Sequence, residues 1–230
     1  MKMMRVIILI ISSVAFFVKA DELLKTPKYD VLPCCQLCPE AADSNNYNNS
    51  FLQANYRILE GKNGWLFRSQ ADLKTDFGPK PDVYPMLFTF LSKLERRGSK
   101  VLLVYTPSRG LVHSDELISN EYDKGLAQKN YIKALSMFRS IGFIVPQLDR
   151  IFDRKSGKEF FFHRDSHWTP DGSRLTAELV AEEIKKDPLY TQLKSKKFST
   201  TLNGFNSQPG VIQLATSQLC PRCQNSCRLI

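Results

Sequence analysis

With 230 residues, 43% of them hydrophobic and 24% charged, the chain has the composition of a folded globular protein with room for one sizeable core, which excludes disorder throughout. Its formal net charge of +9 suits an anionic partner such as an acidic polysaccharide or a membrane surface. The basic residues are scattered, and no arginine-rich or aromatic nucleic-acid motif stands out.

Residues 1 to 20, MKMMRVIILIISSVAFFVKA, begin with Lys2 and Arg5, run through an apolar centre from Val6 to Val18 and end on small Ala20. This is the pattern of a secretory signal peptide cleaved after Ala20; its rival is an uncleaved anchor, for which the run is short against the ~20 residues of a span. Cleavage leaves 29 basic and 23 acidic residues, a net charge of +6. Export favours disulfides among the six cysteines, which cluster as Cys34, Cys35, Cys38 and as Cys220, Cys223, Cys227. A bridge between the clusters closes nearly the whole chain, but spacing does not fix the pairing, and two Cys-x-x-Cys pairs leave zinc as a rival.

Residues 21 to 60 are polar and turn-rich, with Asn45 to Asn49 as loop. Asn63-Gly64 marks a hairpin or tight turn into a short apolar strand at Trp65 to Arg68. Residues 82 to 98 read as a helix burying Val83, Leu87, Phe90, Leu91 and Leu94 and stopping at Gly98. The continuous apolar run Val101 to Tyr105 predicts a buried parallel strand. A helix from about Tyr122 to Ile141 buries Leu126, Tyr131, Leu135 and Phe138, and Phe143 to Leu148 is a further strand that Pro146 confines to an end or edge. After a third apolar run, Phe160 to Phe162, a helix from Pro170 buries Leu175, Leu179, Val180 and Ile184. Alternating strands and helices predict an α/β fold with a mainly parallel sheet. Beyond Tyr190 no clear period remains.

The most informative stretch is FFFHRDSHWTPDG, residues 160 to 172. In an extended segment Asp165 and His167 face the same way, about 7 Å apart at Cα, so the carboxylate reaches the imidazole. Thr169 as N-cap, Pro170 at the first helical position and Asp171 at the positive helix end place this pair where a strand stops and a helix begins. A His oriented by an Asp is a general base for a serine or a water. The competing readings are a loop clamp with Trp168 as core anchor, and a metal site formed with His163, which an extended segment does not make converge.

CCQLCPEAAD, GKNGWLFRSQADL, VLLVYTPSRGLVH and FFFHRDSHWTPDGSRLTAELVAEEI, in this order from about Cys34 to Cys220, together resemble the periplasmic alginate O-acetyltransferases of the AlgX/AlgJ type, the AlgX branch in particular. The resemblance implies an SGNH-hydrolase-like three-layer α/β/α domain over residues 61–219, preceded by a cysteine-containing segment at 21–60 and followed by a cysteine-rich tail at 220–230. It implies a periplasmic Ser-His-Asp acetyl transfer to mannuronate hydroxyls of alginate, with Asp165 as triad acid and His167 as triad base, no cofactor and no metal. Partners would be the anionic polysaccharide and acetyl-donor proteins of a secretion complex, not nucleic acid. The family's disulfide would correspond to Cys35 with Cys220.

In that family the serine lies in a Gly-x-Ser motif on a later strand, and a carbohydrate-binding module follows. Neither appears before Ile230, so the expectation is a C-terminally truncated domain whose serine lies beyond this chain. Ser108 ends a buried strand but has no Gly-x-Ser-x-Gly elbow, and Ser166 points away from the pair in an extended segment. Arg109 is a candidate bidentate contact for a uronate carboxylate, with a structural salt bridge as its alternative. An acetyl esterase and a non-catalytic polysaccharide-binding component are the rival functions.

Overall fold

The computed structural model describes residues 37–118, 122–153, 159–188, 190 and 210–220, with the backbone alone of 5–11. In chain order its strands are β1 (Arg5–Ile11), β2 (Ile58–Glu60), β3 (Leu66–Arg68) and β4 (Ser99–Tyr105). Its α-helices are α1 (Ser50–Ala54), α2 (Ser69–Asp72), α3 (Tyr84–Glu95), α4 (Arg109–Val112), α5 (Lys124–Ser140), α6 (Pro170–Lys185) and α7 (Val211–Leu219).

β4 is the hub. Leu102, Leu103 and Val104 are buried, as a strand covered on both faces requires. β1 pairs with it in parallel from Arg5↔Ser99 to Ile11↔Tyr105. β1 lies inside the segment read as an export leader, since a β-branched apolar run suits an edge strand as well as a leader core. The cleavage point after Ala20 lies outside the described residues. On the other side of β4, the strand predicted at Phe143 to Leu148 shrinks to one parallel bridge, Leu102↔Ile144. Pro146 has no N–H for a ladder, and a 3₁₀ turn, Leu148–Asp153, starts two residues on.

Helices pack around this hub in one core that includes Leu91, Tyr131, Leu135, Phe138 and Leu179. Two residues expected in the core are exposed. Phe90 is 44% exposed while Leu91 takes the core face of α3, and on α5 Leu126 is 45% exposed while Ala127 is buried. Both helices end where the glycines require: Gly98 and Gly142 have φ of 75° and 106°.

A second, smaller core forms at one end of the molecule. β2 and β3 make an antiparallel hairpin, Ile58↔Arg68 to Glu60↔Leu66, closed by Asn63 and Gly64, both at positive φ as a type I′ turn demands. Against it packs α7, a helix that the weak pattern beyond Tyr190 did not announce; Ile212, Ala215 and Leu219 are its buried stripe. Cys220, just past α7, is bonded to Cys38, with Cα atoms 5.7 Å apart. This corrects the pairing expected from resemblance: the inter-cluster bridge exists, but its N-terminal partner is Cys38, because Leu219 and Cys220 pack beside the Cys38 backbone. Cys34, Cys35, Cys223 and Cys227 lie outside the described residues.

Candidate active site

Residues 160 to 169 do not run straight. Phe161 and Trp168 form an antiparallel bridge, Phe162 N donates to His167 O at 3.2 Å, and Thr169 N donates to Phe160 O at 2.9 Å. The segment doubles back, with Asp165 on the bend. The pairing of acid and imidazole therefore comes from an Asx-type turn and not from strand alternation: Asp165 Oδ1 accepts both the backbone N–H of His167 (2.8 Å) and its ring Nδ1 (2.5 Å). Oδ2 accepts Val211 N at 2.9 Å, so α7 holds the other side of the carboxylate.

The end of this loop follows its sequence signals. Thr169 caps α6 by accepting from Gly172 N at 3.1 Å, with Pro170 at the first helical position. Gly172 is obligatory for a packing reason, since a Cβ there would lie 2.2 Å from Phe160 O.

The bend separates the two loop histidines. His163 stacks on Trp65, ring centroids 4.6 Å apart, and its Nε2 is 2.5 Å from Glu159 Oε1. His167 sits over a cavity of about 250 Å³ lined by Arg68, Asp72, Thr106, Ser108, Arg109, Ser166, Trp168 and neighbouring apolar side chains. Among the described residues, no group of three metal-ligating side chains converges.

Burial by itself would raise the Asp165 carboxyl, but the His167 ring and the N–H groups of His167 and Val211 outweigh it and hold the group below the usual carboxylate range. For His167 the hydrogen bond to Asp165 raises the imidazole above its ordinary value; burial and the charge of Arg68 oppose it. With Nδ1–H committed to Asp165, Nε2 is the ring's free base. The His167 side chain is 71% exposed and the Asp165 side chain 19%, an accessible base on a sheltered acid.

Arg109, the candidate uronate contact, is committed to the scaffold. It is 1% exposed, and its guanidinium donates to Asp165 O, to Leu66 O (2.9 Å) and to His163 O (2.9 Å), lying over the rings of Trp65 and Phe67. Burial pushes it down to about 10, with Asp72 pulling the other way, so it stays charged at neutral pH. Ser108 is buried as the cap of α4, accepting from Leu111 N at 3.4 Å. Among the described residues no hydroxyl is hydrogen-bonded to the His167 ring. Two cavity residues went unnoticed in the sequence. Asp72 takes Arg68 side-on, Nε at 3.3 Å and Nη2 at 2.9 Å, and also accepts the Arg68 backbone N–H at 2.8 Å. Their i,i+4 spacing was the available signal.

A family profile described as the SGNH hydrolase-like domain of the acetyltransferase AlgX matches residues 58–226. The chain belongs to the AlgX family. The alginate biosynthesis protein AlgX of Pseudomonas aeruginosa is 36% identical over 197 residues, covering 84% of this chain and 42% of the relative. The AlgX of Pseudomonas syringae pv. tomato is 34% identical over 205 residues, covering 88% and 43%. A probable alginate O-acetylase, AlgJ of Pseudomonas aeruginosa, is 27% identical over 160 residues. The solved structure of Pseudomonas aeruginosa AlgX superposes with a TM-score of 0.76 at 36% identity, over 80% of this chain and 46% of that one. The fold is thus SGNH hydrolase-like, and this AlgX-family chain spans less than half the length of the relatives it matches.

Proposed function

We propose that this chain provides the acid and base of an acetyl transfer to mannuronate hydroxyls of alginate in the periplasm, after removal of residues 1–20, with residues 61–219 as the acetyltransferase portion. The observation that carries the reading is the Asp165 Oδ1 to His167 Nδ1 contact of 2.5 Å beside an open cavity. The AlgX and AlgJ names of the relatives supply the substrate class. Asp165 holds the tautomer and stabilises the imidazolium; Nε2 takes the proton of a serine hydroxyl delivered from outside the described residues. The serine oxygen bonds to the acetyl carbon, and the donor's leaving group departs with the proton from Nε2. In the second half Nε2 takes the proton of a sugar hydroxyl, the sugar oxygen bonds to the acetyl carbon, and the serine oxygen leaves and regains a proton. The acetyl arrives from a donor protein of the secretion complex, and neither cofactor nor metal takes part.

The test is acetyl transfer from an activated acetyl ester to mannuronate oligomers by the full gene product. Acetylated oligomer is expected from the wild type, with a loss of about 10⁴-fold in Asp165→Asn and in His167→Ala. Acetate released to water without acetylated oligomer would establish an esterase instead, and tight binding without turnover a polysaccharide-binding component.

A further inference from the structure

Two guanidinium groups and one carboxylate line the cavity beside His167, those of Arg68, Arg109 and Asp72. Asp165 acts on Arg109 by its charge, but both its oxygens are hydrogen-bonded to His167 and Val211, and it takes neither guanidinium as an ion-pair partner. The two arginines differ in what they have left to give. Arg109 has both terminal nitrogens on backbone carbonyls, and its Nε faces Asp72 at 3.8 Å. The Arg68 side chain is 5% exposed, and Asp72 occupies only its Nε/Nη2 edge. Among the described residues nothing accepts from Arg68 Nη1, which is not among the sealed polar atoms that lack a partner. The Nη1/Nη2 edge, a planar fork matched to a carboxylate, thus remains for the cavity. Asp72 locks the plane of that fork in advance, so little freedom is lost when a ligand binds.

We propose that Arg68 grips the carboxylate of one uronate ring through this second edge and so presents a hydroxyl of the same ring, or of its neighbour, to His167 Nε2. The inference deepens the acetyl-transfer reading and rests on it for the identity of the sugar. A cavity of about 250 Å³ holds a single pyranose ring, and Phe161 and Trp168 supply apolar walls for the ring's C–H faces. Arg68 also lies close enough to His167 for its charge to act on the imidazole, so grip and base share one site. Arg109 is the positioning residue of the arrangement, holding the loop carbonyls, and Arg68 the residue that selects a charged sugar.

Titration calorimetry with mannuronate oligomers and with the same oligomers after carboxyl reduction tests the proposal. The wild type is expected to prefer the charged oligomer by about 10-fold or more, the worth of one hydrogen-bonded charge pair. Arg68→Gln combined with Asp72→Asn removes both partners of this pair together; Arg109 loses the Asp72 charge facing its Nε but keeps its three carbonyl acceptors. This variant is expected to bind both oligomers alike, at the wild-type affinity for the reduced one. A folded double variant that keeps the preference, or a wild type that shows none, overturns the assignment. If the double variant does not fold, Arg68→Lys, which keeps the charge toward Asp72 but has no fork, is expected to lose most of the preference; its retention has the same overturning force. Free acetate displacing the charged oligomer as effectively as mannuronate does would also overturn it. A wild type that shows the preference but transfers no acetyl refutes the acetyltransferase reading alone, and a wild type that transfers acetyl without the preference refutes the grip alone.

Discussion

The two cores are built in opposite ways. The large one, around β4, α3, α5 and α6, draws on elements that follow one another along the chain, and its buried residues lie between Trp65 and Leu179. The small one joins segments far apart in sequence: Ala41, Tyr47, Leu52 and the β2–β3 hairpin meet α7 and Cys220, and the Cys38–Cys220 bond ties them across a sequence separation of 182 residues. The site lies where the two meet. Arg109, next to the large-core residues Leu111 and Val112, holds the Asp165 carbonyl, while Val211 of α7 holds the Asp165 carboxylate. A local motif thus supplies the carboxylate and the imidazole, and long-range closure fixes the direction in which the carboxylate points.

The sharpest way to break this division is to remove the staple. Closing so long a loop stabilises by about 5 kcal/mol in the chain-entropy model. Cys38→Ser with Cys220→Ser is therefore expected to lose about that much in denaturant melts. Hydrogen exchange should locate the loss: amides of α7 and of the β2–β3 hairpin are expected to open far below the global unfolding energy, and those of β4 and α5 only with it. Uniform loss of protection across both cores would show that they form one cooperative unit.

A finer cut removes only the link to the site. Val211→Pro deletes the N–H that Asp165 Oδ2 accepts. Proline is tolerated there because Val211 is the first residue of α7 and Gly210, at φ −67° and ψ 156°, already has the extended backbone that a following proline requires. A hydrogen bond to a charged group is worth about 1.5–3 kcal/mol, so the Asp165 carboxyl is expected to move back toward the usual carboxylate range in a carbon-13 titration while α7 stays folded. An unmoved Asp165 would make α7 a bystander.

The same division explains what the sequence disclosed. Helices α5 and α6, the strand at β4, the Asn63-Gly64 turn and the Thr169 cap were legible because each signal is local: a period, a continuous apolar run, a positive-φ pair, a capping hydroxyl. Asp165 and His167 were found for a partly mistaken reason, since the two-residue spacing that would align them on a strand also closes an Asx turn. Phe160 to Phe162 looked like a sheet strand because apolar runs bury equally well in a loop folded over a core. The Cys38 partner, α7 and the Arg68–Asp72 edge were not legible, because each depends on what arrives from more than a hundred residues away or on which edge of a guanidinium is already occupied.

On the large-core side of the site, a smaller effect is expected. Thr169→Ala removes the cap of α6 and should cost about 1 kcal/mol, with Thr169→Ser restoring it. Because Gly172 anchors the same turn against Phe160, the loop is expected to keep its course and the His167 ring signal its titration. A displaced titration would mean that the cap, and not the Asx turn, sets the pair.

The smallest effect separates the pair's contribution to stability from its proposed work as a base. Asp165 is held below the usual carboxylate range, so its stabilisation is present above about pH 3.9 and is lost as pH falls through the lowered value. His167 is raised above the ordinary imidazole range, so its contribution is complete below about pH 6.5 and is lost as pH rises through the raised value. The pair therefore stabilises most between those limits, while Nε2 is available as a base only above the raised value. Across neutral pH the two quantities should run in opposite directions, with stability falling slightly as the basic form accumulates. The stability change is small because the His167 side chain is 71% exposed and its charge is screened by water. Asp165→Asn is expected to return His167 to the ordinary range and to flatten the alkaline decline; a His167 that titrates at or below the ordinary value in the wild type would mean that the acid does not support the base in solution.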